Sequence, residues 1–334
     1  MKKTMLTGSL ALSLATGCGN GADSFRDALP TKDVVEVSFP EGGASSRGLV
    51  GTTSSGLVGG PADFYTHSYY ASRQVNGFAG HVVRAIQDVA SHTPTQNDGH
   101  VAVWGPFSAN GEPVEYKLTV AEEGDRFDWV AEIKHKSADQ FSAMAAGSFV
   151  PGLPEEGMGW FAVDFEVIRE ANPAEGHRGQ IAYSFERTSE GLAVRAFARE
   201  EQNGQNLEAG YAYGRGPDGS GFVMFSVPEN FKESGDLGME DTGAKERMLI
   251  HTRWTTIGAG RADVLVSEGD LGGHAVVGTQ CWNDRYASTF EAMSFDGSLQ
   301  AADGDPSGCA EPEASVPDPE DVPVADDVLN PYGE

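Results

Sequence analysis

Two hydropathy periods divide this chain. Val75, Phe78, Ala79, Val82, Val83, Ile86 and Val89 recur at helical spacing, while Arg73, Gln74, Asn76, His81, Arg84, Gln87 and Asp88 fall off that stripe. The pattern predicts an amphipathic helix packed on an apolar surface. Pro94 follows it and cannot continue the hydrogen-bond ladder. Gly77 and Gly80 weaken the helix and leave room for a close approach to a sheet.

From His100 to Asn283 the period drops to two. Val114, Tyr116, Leu118 and Val120 alternate with polar residues, Gly124 sits in a short turn, and Phe127, Trp129, Ala131 and Ile133 alternate again. That reads as a β-hairpin. Phe161, Val163, Phe165 and Val167 read as one strand; Ile181, Tyr183 and Phe185 begin the next. Leu207, Ala209, Tyr211 and Tyr213 run into the turn Gly216-Pro217-Asp218-Gly219. Phe222, Met224, Met248, Ile250, Trp254, Val264, Val266, Val277 and Cys281 extend the series to about twelve strands. Short turns require antiparallel neighbours, because parallel strands need long crossovers. The expected fold is mainly β: a large antiparallel meander curved into a barrel or half-barrel, with one N-terminal amphipathic helix packed on it.

The flanks read differently. Residues 1–17 have a basic start, an apolar core from Leu6 to Ala15 and small residues before Cys18, the three parts of a secretory signal. The core is too short for a transmembrane helix, which takes about 20 apolar residues. Leu14-Ala15-Thr16-Gly17-Cys18 resembles the lipobox of bacterial lipoproteins, with leucine one place earlier than the commonest pattern. The resemblance implies cleavage behind Gly17, acylation of Cys18 and a membrane partner reached through that lipid anchor. Gly19, rather than an acid, implies sorting to the outer membrane. Residues 18–62 are rich in Gly, Ser and Thr and read as a tether, within which Val35, Val37 and Phe39 alternate as a half-buried strand does. Residues 63–300 form the β domain with its leading helix. Residues 301–334 hold ten acids, six prolines and no Lys or Arg, the composition of a disordered acidic tail.

Charge narrows the partners. Removing residues 1–17 takes away two lysines and no acid, leaving 21 basic against 50 acidic residues, a net charge of −29. Such a field repels nucleic acid and anionic lipid surfaces. With Cys18 lipidated, Cys281 and Cys309 form an even pair in an oxidising compartment. A disulfide between them would close a loop of about 30 residues, worth roughly 3 kcal/mol; two free thiols are the alternative. Neither cysteine has a second Cys or His pairing nearby that would make a zinc site.

Chemistry is sparse. Gly-x-Ser-x-Gly, His-Glu-x-x-His and a phosphate-binding loop are all missing from the sequence. The eight histidines show no ligand spacing. His251 lies beside Arg253 on the strand face opposite Ile250, Thr252 and Trp254. Asp164 and Glu166 share a strand face in this reading, a carboxylate pair if that face lines a cavity and ordinary polar positions if it meets water. Asp303-Gly304-Asp305 and Asp218-Gly219 supply only fragments of a calcium loop. Trp104, Trp129, Trp160, Trp254 and Trp282 sit on different strands, where they line an apolar ligand cavity or fill a solid core. No catalytic residue, cofactor or metal is expected, and Cys18, Cys281 and Cys309 are the residues assigned a role.

A lipid-anchored protein whose curved sheet is crossed by a helix resembles, in architecture, the half-barrels that handle lipids or lipoproteins in the bacterial envelope. The stretch from Gly260-Arg261-Ala262-Asp263-Val264 to Gln280-Cys281-Trp282 resembles bacterial envelope proteins of no assigned activity. These resemblances imply a non-enzymatic, envelope-localised binding or carrier module for an apolar ligand or a partner protein. A structural or interaction lipoprotein with a filled core is the alternative, and an enzyme the third reading. Charges such as Lys117, Lys134 and Arg195 argue against a transmembrane barrel.

Overall fold

The computed structural model describes residues 25–26, 28–40, 58–108, 111–202, 205–229, 243–313, 318, 321–324 and 328. Residues 1–17 and Cys18 lie outside that set. A short helix α1 (Lys32–Val35) precedes the long helix α2 (Asp63–Ala90). Then come strands β1 (Gln96–Asn97), β2 (Val101–Phe107), β3 (Val114–Glu123), β4 (Arg126–His135), β5 (Ser142–Pro151) and β6 (Gly157–Asp164). Helix α3 (Phe165–Ala171) leads to β7 (Gln180–Thr188), β8 (Gly191–Gln202), β9 (Gln205–Arg215), β10 (Gly221–Glu229) and β11 (Glu246–Trp254). The series ends with β12 (Gly260–Ser267), β13 (Val276–Trp282), β14 (Ser288–Phe295) and β15 (Ser298–Gly304).

All 15 strands form one sheet in chain order, every neighbour antiparallel, and the sheet is not closed. This is the half-barrel form of the expected meander. Its inner face carries the core. Val120, Trp129, Phe161, Tyr183, Val194, Tyr213, Val223, Ile250, Ala262 and Trp282 project inward from successive strands and are all buried. The apolar stripe of α2 closes over them, with Ala79, Val82, Val83 and Ile86 buried. Phe78 of α2 packs on Phe161 at 5.9 Å.

The helix starts ten residues before Arg73, at Asp63. Its first half buries Tyr65 together with the hydroxyl residues Ser68 and Ser72, so no run of aliphatic positions marks it. No side chain of its own caps the N-terminus; the amide of Phe64 instead donates to Gln280 Oε1 at 2.9 Å, a cap supplied by β13. Gly77 faces open space, and Gly80 is approached by the side chain of Lys32 rather than by the sheet.

Three expectations need correcting. Phe165 and Val167 do not continue a strand: Asp164 caps α3, its Oδ1 accepting from the amides of Glu166 and Val167, and the chain turns helical there. The tether is docked over its middle, because Phe25, Leu29, Val34, Val35 and Val37 bury their apolar side chains against the domain. Finally, the acidic tail is held at several points. Residues 298–304 are the last strand, Cys309 is bonded to Cys281, Val322 lies against Gly210, and Val328 is buried with Ala182 and Phe197 on the sheet's outer face. Composition averages over the tail, whereas docking depends on these few residues meeting small partners.

Candidate functional site

Sequence left the tryptophans either to line an apolar cavity or to fill a solid core, and the structure shows what lies against them. Trp104, Trp129, Trp254 and Trp282 are buried on the inner face, whereas Trp160 alternates to the other face with Met158 and Ala162. The rings sit over glycines on neighbouring strands. Trp129 pairs with Gly147, Trp254 with both Gly221 and Gly260, and Trp282 with Gly260. Each indole N–H of three inner rings donates to a carbonyl: Trp104 to His92 at 2.7 Å, Trp254 to Gly219 at 3.0 Å and Trp282 to Gly258 at 3.0 Å. Helix α2 and residues 28–40 fill the space in front of these rings. A hollow of about 340 Å³ lies elsewhere, among Glu208, Lys245, Glu246, Arg247 and Glu268, where charge suits no apolar ligand.

Residues 30–40 lie in a groove between α2 and the inner ends of β7 and β9, and the groove grips their main chain. Gln87 Nε2 donates to the Pro30 carbonyl at 2.8 Å. Arg187 Nε donates to Val34 O at 3.1 Å and its Nη2 to Glu36 O at 2.9 Å. The Tyr183 hydroxyl donates to Val35 O. Asn76 takes both groups of Val37, accepting from its amide at 2.8 Å and donating to its carbonyl at 2.7 Å. Tyr213 donates to Ser38 O at 2.6 Å, and Tyr65 to Pro40 O at 2.5 Å. Arg215 reaches the Ser38 hydroxyl.

The side chains of the segment serve as apolar pegs. Phe39 meets the rings of Trp254 at 4.8 Å, Tyr65 at 5.2 Å and Tyr69 at 6.1 Å. Burial pushes the Tyr183 hydroxyl well above its ordinary range and raises that of Tyr213, so both phenols stay protonated and donate. Tyr211, also pushed up by burial, meets Ser72 at 2.9 Å, while Ser68 meets Thr252 at 2.6 Å. These hydroxyls give the first half of α2 a polar seam that matches the sheet beneath it.

The other candidates are scattered. Asp164 and Glu166 do not form a carboxylate pair. Asp164 caps α3 and accepts from Gln180 at 2.7 Å, and Glu166 accepts from Arg169 and from the Gly179 amide at 3.0 Å. His251 is on β11, five strand spacings from β6, or about 24 Å along the sheet. It lies on the outer face, edge-on to Phe222 at 6.0 Å. Nearby, Asp263 accepts from Arg261, from Arg253 at 2.9 Å and from Thr279 at 2.9 Å. Burial holds the His251 imidazolium below its ordinary pKa, and the Arg253 cation lowers it further.

Asp218, Asp303 and Asp305 accept from turn amides. Among the described residues no group of three or more His, Cys, Asp or Glu is arranged to hold a metal ion. Cys281 and Cys309 are joined by a disulfide, their Cα atoms 5.3 Å apart.

The groove residues Asn76, Gln87, Tyr183, Arg187, Tyr213 and Arg215 were not singled out by sequence as a site. Only Asn76 and Gln87 carry a sequence signal, standing off the apolar stripe of a helix that is covered on more than one side. No family model matches the chain, and no curated protein or solved structure matches it.

Proposed function

We propose that the protein is a membrane-anchored envelope lipoprotein, acylated at Cys18, whose β domain is an interaction module for a partner protein. The filled inner face carries this choice between the two ligands expected from sequence. An apolar small molecule needs an enclosed apolar cavity, and here α2 and residues 28–40 lie against the inner tryptophans and tyrosines. A protein partner needs only surface and edges. Net charge favours a basic partner, drawn in by a field that weakens with salt.

A structural lipoprotein with no ligand is the second reading, favoured by the same packed core.

Metabolic labelling with an alkyne fatty acid tests the anchor. The wild-type chain is expected to take up label and sediment with membranes, and Cys18→Ser to lose both; an unlabelled wild-type chain would overturn the anchor. Crosslinked co-purification at low and high salt tests the partner. A basic protein captured at low salt and lost at high salt supports the interaction module. No captured protein under either condition leaves the structural reading in its place.

A further inference from the structure

We infer that the open edge of β15 is a docking site for an extended strand of a basic partner protein. The inference deepens the interaction reading above, on which it rests, and names where that partner would bind.

A sheet that does not close has two edges, and this one treats them differently. At β2 the edge is blunted. Strand β1 covers Ala102 and Val103, and Pro106 has no amide to offer. The Thr95 amide donates to Val103 O at 2.7 Å, and its hydroxyl reaches Val103 O at 3.0 Å and Gly105 O at 2.8 Å. At β15 none of these devices is present. Ser298–Gly304 pairs with β14, holds no proline and no lysine, and all seven of its residues are exposed. Among the described residues its main chain otherwise meets only two side chains of its own. Gln300 donates to the Ser298 carbonyl at 3.0 Å, and Asp303 accepts from the Gly304 amide at 2.9 Å. Proteins commonly protect such an edge with lysine, proline or a covering loop, and an unprotected one accepts a further strand.

Charge says which strand fits. Glu291 of β14 and Asp303 of β15 stand directly opposite one another in the ladder, an arrangement that costs energy unless a cation lies beside it. None is bonded to either among the described residues. Glu291 accepts from Gln280 Nε2 at 2.8 Å and from the Ser288 hydroxyl at 2.7 Å, and Asp303 accepts from the Val58 amide at 3.3 Å. All three donors are neutral. From Tyr286 to Glu334 the chain carries twelve acids and no Lys or Arg. A Lys or Arg on an added strand, beside Asp303, supplies the missing cation. Leu299, 67% exposed, and Met293 of β14, 44% exposed, offer the same strand an apolar contact. A second copy of this chain would bring acids to acids and is the poorer occupant.

The test uses the full chain carrying Cys18→Ser, so that acylation plays no part. The probe is a fluorescent synthetic peptide, Thr-Val-Lys-Val-Thr-Val-Lys-Val-Thr, followed by anisotropy and by hydrogen exchange of the protein. Saturable uptake is expected, with slowed amide exchange confined to residues 298–304. The same peptide with every main-chain amide N-methylated keeps its charge, loses its donors, and should bind at least about tenfold more weakly. Glutamate in place of both peptide lysines should lose a similar factor.

Leu299→Lys with Ala301→Lys, at exposed positions, should also weaken binding about tenfold or more while circular dichroism stays native. Leu153→Lys with Ile257→Lys puts an equal charge at exposed positions on two other turns and should leave binding within about threefold.

Equal binding of the methylated peptide would overturn the inference, since the attraction would then be electrostatic alone. Protection outside β15, or no uptake, would overturn it too. A free chain that dimerises with residues 298–304 protected would overturn it in favour of a second copy. Repeating the crosslinked capture with the Leu299→Lys, Ala301→Lys chain separates the two claims. A basic protein captured by the wild-type chain and lost by the variant supports the edge. One captured equally by both leaves the interaction reading standing and overturns the edge alone. No captured protein removes the interaction reading, and the edge inference falls with it.

Discussion

Asn76 makes with one side chain the two hydrogen bonds that a strand makes with its backbone. In the sequence it is a polar residue off an apolar stripe, which is what a solvated helix face also looks like. Its partner is 39 positions away, so nothing local marks it. Cys281 and Cys309 were legible because cysteines are few and pair by parity. His251 was legible in direction only: alternation put it opposite Ile250, and burial decided its chemistry.

That chemistry has a testable sign. Burial first, and then the Arg253 cation, lower the His251 pKa, against the opposing pull of Asp263 and Asp321. As pH falls from about 6.5, the unfolded chain takes this proton before the folded one does. Stability is therefore lost as pH drops from that point through the folded value, and His251 adds no pH slope above it. His251→Gln should flatten this limb. The check is the difference in urea midpoint between variant and wild type at about pH 7.5 and about pH 5; a difference that does not change with pH would refute the assignment.

At the scale of elements, alternation was readable where side chains are large and misleading where they are small. The hairpin of β3 and β4 was plain from its apolar residues and from Gly124, whose φ of 70° the turn requires. The intervening strand β5 was missed because Ser142, Ala143, Ala145, Ala146 and Gly147 give it almost no hydropathy signal. Its smallness is the imprint of its neighbour, for the Trp129 ring occupies the place where a Gly147 side chain would be, 2.6 Å from a Cβ built there.

Gly147→Val should expel the ring and destabilise the fold by about 1–3 kcal/mol. The accompanying signature is a red-shifted tryptophan emission in the folded protein. Unchanged emission and stability would mean that the ring does not depend on the glycine. Helix α3 shows the converse error, because Phe165 and Val167 keep a two-residue spacing that Asp164 overrides by capping a helix.

Across the whole molecule, class and topology followed from turn length: short links force antiparallel neighbours, and 15 strands in chain order are the result. The extent of the domain was not legible, because composition treats residues 18–62 and 301–334 as solvated chain. Docking there rests on a handful of valines, one disulfide and backbone carbonyls, which composition does not see. The disulfide spans 28 positions and ties the tail to β13. Reducing it should cost roughly 3 kcal/mol of unfolding free energy and open the segment after Gly304 to limited proteolysis. Equal denaturation midpoints with and without reductant would show that the tail is held by its valines alone.

The docked segment also sets a height. Phe25 is buried in the domain, so with Cys18 acylated the chain from the lipid to the fold is seven residues long and spans at most about 25 Å. The β domain then stands against the bilayer that holds it. A segment docked by a few buried residues thus fixes how close to a bilayer an acylated Cys18 would hold this protein.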